Sequence, residues 1–287
     1  MAGTDADGSS MDDLRRLYEQ VDLRLDRPTP ARMYDYYLGG KDNFAVDREA
    51  ADAVIGLLGD VVVRLGPQEN RAFLRRAVRW LAQQGIDQFI DLGAGLPTQG
   101  NVHQVVREVN PAARVVYVDN DPIVLAHGRA LLADSPGVEV ITADLREPET
   151  ILGHPVVADL IDPARPVGLL LFAVLHFVPD SEDPRALLGA YFSRLAPGSF
   201  VALSHVTMDG FPPETIAQAT SVYERATSPM VPRSYAQIAD LLDGVDLVEP
   251  GLVRTWQWRP EPEDSLRTDA TYAAVGRIPR GPAVDPR

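Results

Sequence analysis

After residue 86 the chain alternates between short apolar runs and stretches of helical spacing, and this alternation restricts the fold more than any other feature. The apolar runs fall at residues 88–92, 114–118, 138–142, 167–172 and 200–205, with helix-spaced segments between them at 99–109, 122–133 and 183–195. A strand joined to the next through a helix pairs with it in parallel, because the crossover returns the chain to the same end of the sheet. The fourth run, VGLLLF, is apolar throughout, as a strand covered on both faces should be. Asn110-Pro111 stops one helix, Asp183-Pro184 opens another and Pro197-Gly198 ends it. The expected fold is α/β and Rossmann-like, a mostly parallel sheet with helices on both faces.

The flanking segments read differently. Residues 1–12 are polar and acidic, are expected to be disordered, and lack the basic start and apolar run of a signal peptide. A short helix is expected over 13–24. The stretch DRPTPARMYDYYLGGKDNF fits no single period and reads as an ordered, irregular arm with one helical turn over 31–38. One or two helices follow over 45–64. Gly66-Pro67 then places a proline at the first position of a helix that Gly85 closes. In the last third, 212–226 reads as a helix, and Ser234 with Gln237 forms a capping box for another that Gly244 ends. Residues 247–253 and 272–276 are strand-like, a loop-rich segment with Pro148 and Pro155 follows the run at 138–142, and 278–287 is a loose tail. The chain thus divides into a disordered start (1–12), a helical arm and lid (13–85), a ligand-binding Rossmann-like domain (86–277) and a tail (278–287).

The stretch QFIDLGAGLPTQGN, followed by ARVVYVDNDP, carries the chemistry. A strand runs through Asp91 into Gly93-Ala94-Gly95. Glycines there let the backbone turn sharply and approach a ligand, at a helix N-terminus rich in free N–H groups. The second strand ends in Asp119, where a carboxylate accepts hydrogen bonds from ribose hydroxyls. A dinucleotide site asks for a third glycine, and Thr98 stands in its place, which disfavours a nicotinamide oxidoreductase. Asp91 would repel a pyrophosphate but attract an ammonium or sulfonium, so charge favours S-adenosylmethionine over NAD. After the third strand, Asp144 and Leu145 supply an acid and an apolar surface for an adenine, with Asn120 as a further adenosine contact.

The D-x-G-x-G turn, the acid after strand two and the Ala143-Asp144-Leu145 turn resemble class I S-adenosylmethionine-dependent methyltransferases. More specifically, PTPARMYDYYLGGKDNFAVD, NRAFLRRAVRWLAQQGIDQFIDLGAGLPTQGNVHQV and ARVVYVDNDPIVLAHGRALL are similar to the S-adenosyl methyltransferase family over roughly residues 28–277. The resemblance implies a seven-stranded sheet ending in an antiparallel hairpin, S-adenosylmethionine as cofactor, S-adenosylhomocysteine as product, and methyl transfer as activity. It leaves the acceptor open.

Further candidates follow. Tyr34 and Asn43 are expected to touch the cofactor from the arm, as a lid whose tyrosine faces attract a sulfonium. Arg71 is expected to clamp the methionine carboxylate, although Arg71, Arg75 and Arg79 also read as a solvated helix face. Phe172 and Ala173 are expected beside the cofactor. His176 is a candidate general base, by similarity to turns in small-molecule methyltransferases, or else a packed histidine bonded to backbone; His205 has a weaker claim. His103, His127 and His154 are scattered and no metal site is expected. The chain has no cysteine, which excludes thiolate ligands and Cys nucleophiles. Its net charge of −14 disfavours nucleic acid and anionic membranes, and no apolar stretch is long enough to span a bilayer. The expectation is a cytoplasmic enzyme acting on a small molecule, of unread oligomeric state. A non-catalytic regulatory protein that binds the cofactor or its demethylated product is the alternative.

Overall fold

The computed structural model describes residues 24–97, 100–132, 135–262, 264–265 and 267–278. The expected disordered start, nearly all of the helix at 13–24, Thr98 and the tail beyond Ile278 lie outside them. Five parallel strands form the sheet's main part: β1 (Gln88–Leu92), β2 (Arg114–Asp119), β3 (Val138–Thr142), β4 (Gly168–Phe172) and β5 (Phe200–Val206). Three more complete it: β6 (Asp246–Leu247), β7 (Val253–Arg254) and β8 (Thr271–Arg277), in the order β3-β2-β1-β4-β5-β8-β6 with β7 also paired to β8. Only β8 runs against the rest. The chain moves outward one way from β1 to β3 and the other way from β4, so the carboxyl ends of β1 and β4 flank the switch point where ligands of such sheets lie.

Eight strands stand where seven were expected, because the run at 247–253 breaks into β6 and β7. Pro250 has no N–H for a ladder and Gly251 turns at φ 85°, so only the ends of that run pair with β8.

The helices are α1 (Pro30–Tyr37), α2 (Ala45–Leu58), α3 (Asp60–Gln83), α4 (Val102–Arg107), α5 (Pro122–Leu132), α6 (Pro148–Leu152), α7 (Pro155–Leu160), α8 (Pro184–Phe192), α9 (Pro213–Tyr223) and α10 (Tyr235–Leu241). Thr29 caps α1 and Pro30 opens it, which turns the expected single turn into a full helix. Pro148 and Pro155 likewise open α6 and α7 in the segment read as loop. Helix α3 does not start at Pro67: it begins at Asp60 and carries Pro67 inside. Val63, buried against the arm, makes the extra turn favourable despite the proline. Ser234 and Gln237 form the expected capping box on α10. Ile278 is buried and its N–H donates to Ser199 O at 2.8 Å, so the tail's first residue is anchored.

Two apolar layers cover the sheet. One packs Ile90, Leu169 and Leu203 under α6, α7, α8 and α10; the other packs Phe89, Val115 and Leu170 under α3 and α4. A third cluster lies apart from both, where Met33, Tyr37 and Val54 of the arm meet Met208, Ala219 and Tyr223. It holds the arm over the carboxyl edge of the sheet.

Candidate functional site

The site begins where β1 ends. Gly93 adopts φ 70° and Gly95 φ 66°, and the N–H groups of Gly93 and Ala94 both donate to Val118 O, at 2.8 and 3.1 Å. A side chain on Gly93 would collide with Val174 after β4, whereas one on Gly95 would project into open space. Asp119 closes β2: its Oδ2 accepts from Gly95 N at 2.8 Å and its Oδ1 from Asp121 N at 2.9 Å. A carboxylate has about four acceptor positions, so roughly two stay available for a ligand. After β3, Asp144 Oδ1 accepts from Arg146 N at 3.0 Å, and Asn120 Nδ2 donates to Asp144 Oδ2 at 3.5 Å. Asp91, Asp119 and Asp144 all face one continuous cavity of about 230 Å³, together with Gly93, Ala94, Gly95, Asn120 and Leu145.

The acids are electrostatically uncomfortable. Burial pushes the Asp91 carboxyl up to about 7; Arg71 pulls it down and Asp119 pushes it up again. Burial likewise raises Asp119 to about 6, against the backbone N–H groups it accepts from. A bound cation at this rim would relieve both.

Arg71 and Tyr34 reach the same cavity from the arm side. Arg71 Nη2 donates to Gly100 O at 3.0 Å. Tyr34 donates to Pro67 O at 3.1 Å and accepts from Asn70 Nδ2 at 2.9 Å. Asn70 Oδ1 in turn accepts from Ser204 Oγ at 2.5 Å, and Ser204 Oγ accepts from Ala173 N at 2.9 Å. This chain of bonds joins α1, α3 and β5 to the turn after β4. Ala173 needs it, because it adopts φ 52°, a left-handed backbone that a residue with a Cβ disfavours. Phe172, whose ring meets Phe73 edge-on at 5.6 Å, and Ala173 both line the cavity. Asn43 does not: its amide donates to Asp35 Oδ2 at 2.8 Å and to Gly40 O, and it accepts from Arg48. It braces Asp35, which does line the cavity.

A buried clasp fixes the arm to the rim. Arg32 Nε lies 3.3 Å from Asp47 Oδ1 and 3.9 Å from Asp121 Oδ2, and donates to Thr29 Oγ1 at 2.8 Å. Thr29 Oγ1 donates to Asp121 Oδ2 at 2.9 Å. Asp121 thus caps α5, as its position before Pro122 implies, and also grips the arm.

His176 is buried in the cavity wall. Its Nδ1 accepts from Val206 N at 3.4 Å, which leaves the neutral ring's proton on Nε2, a donor. Burial, then His205 and Arg233, hold its pKa well below the ordinary value, so it binds a further proton poorly. His205 is fixed likewise: Nδ1 donates to Val206 O at 2.7 Å, and Nε2 accepts from the buried Arg233, itself paired with Asp180.

Asn70, Ser204, Arg233 and the Arg32 clasp were not foreseen; each acts across the fold, without a local spacing to mark it. Met208, Phe211 and Met230 also line the cavity wall. Among the described residues no three His, Asp or Glu side chains stand together as a metal would require, and no helix is long and apolar enough to cross a membrane.

A mostly parallel sheet, with glycine turns and acids facing a cavity at its carboxyl edge, defines a Rossmann-type α/β protein. The model of the S-adenosyl methyltransferase family matches residues 17–279. The crystal structure of a methyltransferase candidate from Thermobifida fusca is similar at 42% identity and TM-score 0.82, over 90% of this chain and 97% of that one. A DUF574 family protein from Streptomyces avermitilis is similar at 37% identity and TM-score 0.84, over 90% of this chain and all (100%) of the other. An O-methyltransferase family protein from Burkholderia thailandensis shares the fold at 16% identity and TM-score 0.51, over 96% of this chain and 71% of its own. No protein of curated function matches significantly. The chain belongs to the S-adenosyl methyltransferase family and is an S-adenosylmethionine-dependent methyltransferase. The residues present fit that cofactor: Gly95 leaves open space beside the strand-end acids, and the raised carboxyl of Asp91 favours a cation.

Proposed function

We propose that the protein transfers the methyl group of S-adenosylmethionine to a small-molecule acceptor held between the carboxyl edge of the sheet and the helical arm. The observation that supports this reading is that Asp91, Asp119 and Asp144 line the same cavity as Gly93 and Gly95. Asp119 accepts from the ribose hydroxyls with its remaining lone pairs, and Asn120, Asp144 and Leu145 hold the adenine. Asp91 pairs with the ammonium of the methionine part and Arg71 with its carboxylate, so a zwitterion meets opposite charges in order. Gly93, Ala94 and Gly95 give the ligand a wall without side-chain bulk. Phe172 and Ala173 close the far side, and the ring of Tyr34, held by two hydrogen bonds, offers a π surface to a sulfonium.

When bound, S-adenosylmethionine supplies an electrophilic methyl on a positively charged sulfur. The chain's own contribution is alignment and exclusion of water by the arm and by residues 207–230. His176 orients rather than deprotonates, through the proton on Nε2. On this reading residues 86–277 are the transfer domain and the preceding helices its cover.

Calorimetric titration with S-adenosylhomocysteine tests the site, and methyl-labelled S-adenosylmethionine with fractionated cell extract tests turnover. Binding and label in the small-molecule fraction are expected. Absence of binding refutes the site. Binding without label transfer to any fraction refutes turnover and leaves the regulatory alternative.

A further inference from the structure

The cavity has a second kind of wall. Val54 and Leu58 of α2, Val63 of α3, and Met208, Phe211 and Met230 after β5 line it, and all six belong to the third hydrophobic cluster rather than to the sheet's core. Among the lining residues from α1, α2, α3 up to Pro67 and 206–230, the ionisable side chains are three tyrosines and Asp35, whose Oδ2 already accepts from Asp42 N and Asn43 Nδ2. An anionic acceptor placed there would lose its hydration and find no countercharge, and a cationic one would find only that engaged carboxylate. A neutral apolar one would exchange water for methyl, thioether and aromatic surface.

Thr207, Thr227 and Ser228 also line this side, but only the tyrosines stand there as a mutually bonded hydroxyl pair among the described residues. The hydroxyls of Tyr37 on α1 and Tyr223 on α9 lie 3.1 Å apart, and both residues line the cavity. Two phenols hold two protons and use one in their mutual bond, so the pair still has one O–H to donate. Burial pushes the Tyr223 phenol up to about 12 and holds Tyr37 well above its ordinary value, so both stay neutral and keep those protons.

We propose that the methyl acceptor is a neutral, largely apolar molecule bearing a hydrogen-bonding oxygen, and that the Tyr37–Tyr223 hydroxyl pair selects it; this rests on the methyl-transfer reading above. An ammonium or carboxylate on the same skeleton is rejected by the apolar wall. A hydrocarbon without the oxygen leaves the phenol proton unpaired and binds less well.

The test uses the full chain saturated with S-adenosylhomocysteine and three probes of one shape: naphthol, naphthoate and naphthylmethylammonium. Calorimetry is expected to show naphthol binding at least about tenfold more tightly than either ion. Tyr223→Phe is expected to lower naphthol affinity by about tenfold while S-adenosylhomocysteine binds as before. Leu58→Asp, at a half-buried position of the cavity lining, is expected to invert the preference toward naphthylmethylammonium. Equal or tighter binding of either ion to the native protein overturns the proposal, as does binding of none of the three while S-adenosylhomocysteine is bound. Unchanged naphthol affinity in Tyr223→Phe overturns the role of the pair, and an unchanged probe preference in Leu58→Asp overturns the role of the apolar wall. Failure of S-adenosylhomocysteine itself to bind refutes the cofactor site instead.

Discussion

Asp91→Asn is the substitution whose consequences separate folding from binding most cleanly. The carboxyl is buried, and its pKa is raised from 3.8 to about 7. A folded state that holds a proton more tightly than the unfolded chain loses stability as pH rises, here between about 4 and about 7. At roughly 1.4 kcal/mol per pH unit, the full effect above neutrality is about 4 kcal/mol. Asparagine keeps the volume and removes the titration, at a pH-independent cost of about 1–2 kcal/mol for an amide short of partners. That cost cancels when two pH values are compared. Relative to the native protein, the variant should therefore gain roughly 3 kcal/mol between about pH 5 and about pH 8, measured by urea unfolding without ligand. Its affinity for S-adenosylhomocysteine should fall at least thirtyfold at about pH 8, because the ligand's ammonium loses a buried partner worth about 2 kcal/mol or more. A stability difference that stays flat across that range, or an affinity equal to that of the native protein, would refute the reasoning.

Gly93→Ala and Gly95→Ala should part company. The first forces a side chain against Val174 at a left-handed backbone and should cost about 3 kcal/mol by denaturant unfolding. The second should cost only about 1 kcal/mol, since nothing touches the new methyl, yet weaken S-adenosylhomocysteine binding at least tenfold; native affinity in Gly95→Ala would refute the placement of the ligand over that turn. Arg32→Met leaves Asp47 and Asp121 buried without their guanidinium and should cost about 3–5 kcal/mol, with faster amide exchange in α1. Unaltered exchange there would show that the clasp does not hold the arm.

The parts of the site that could be read in the sequence are those whose chemistry is local. Asp91, Gly93 and Gly95 occupy consecutive positions of one turn, and Asp119 and Asp144 each end or follow an apolar run whose limits are sharp. Strands at 88–92 and 138–142 were legible to the residue for the same reason. Long-range bonds left no such trace: Arg32 meets Asp121, and Asn70 meets Ser204 134 residues away, only once the sheet has formed. His176 shows the limit on chemistry. Its position in the cavity wall was legible, but its role turns on which ring nitrogen a backbone N–H engages, and that depends on β5. The early start of α3 and the division of 247–253 are likewise tertiary outcomes, set by Val63 packing and by what β8 can pair.

The clasp has one last implication, for how molecules come and go. Thr29 and Arg32 are moored to Asp121, two residues from Asp119, so lifting α1 would strand a guanidinium and two carboxylates while loosening the turn beneath any bound nucleoside. That door is bolted from inside. On the opposite flank, the stretch from Met208 to Met230 is held by thioethers, aromatic rings and a shared phenol bond, with Thr227 N donating to Pro28 O and the part-exposed Asp209 carboxylate accepting from Tyr235 N and the Tyr272 hydroxyl, so that moving it breaks hydrogen bonds but none of the clasp's buried ion pairs. Traffic by that flank is the less costly route, with the arm serving as its fixed jamb.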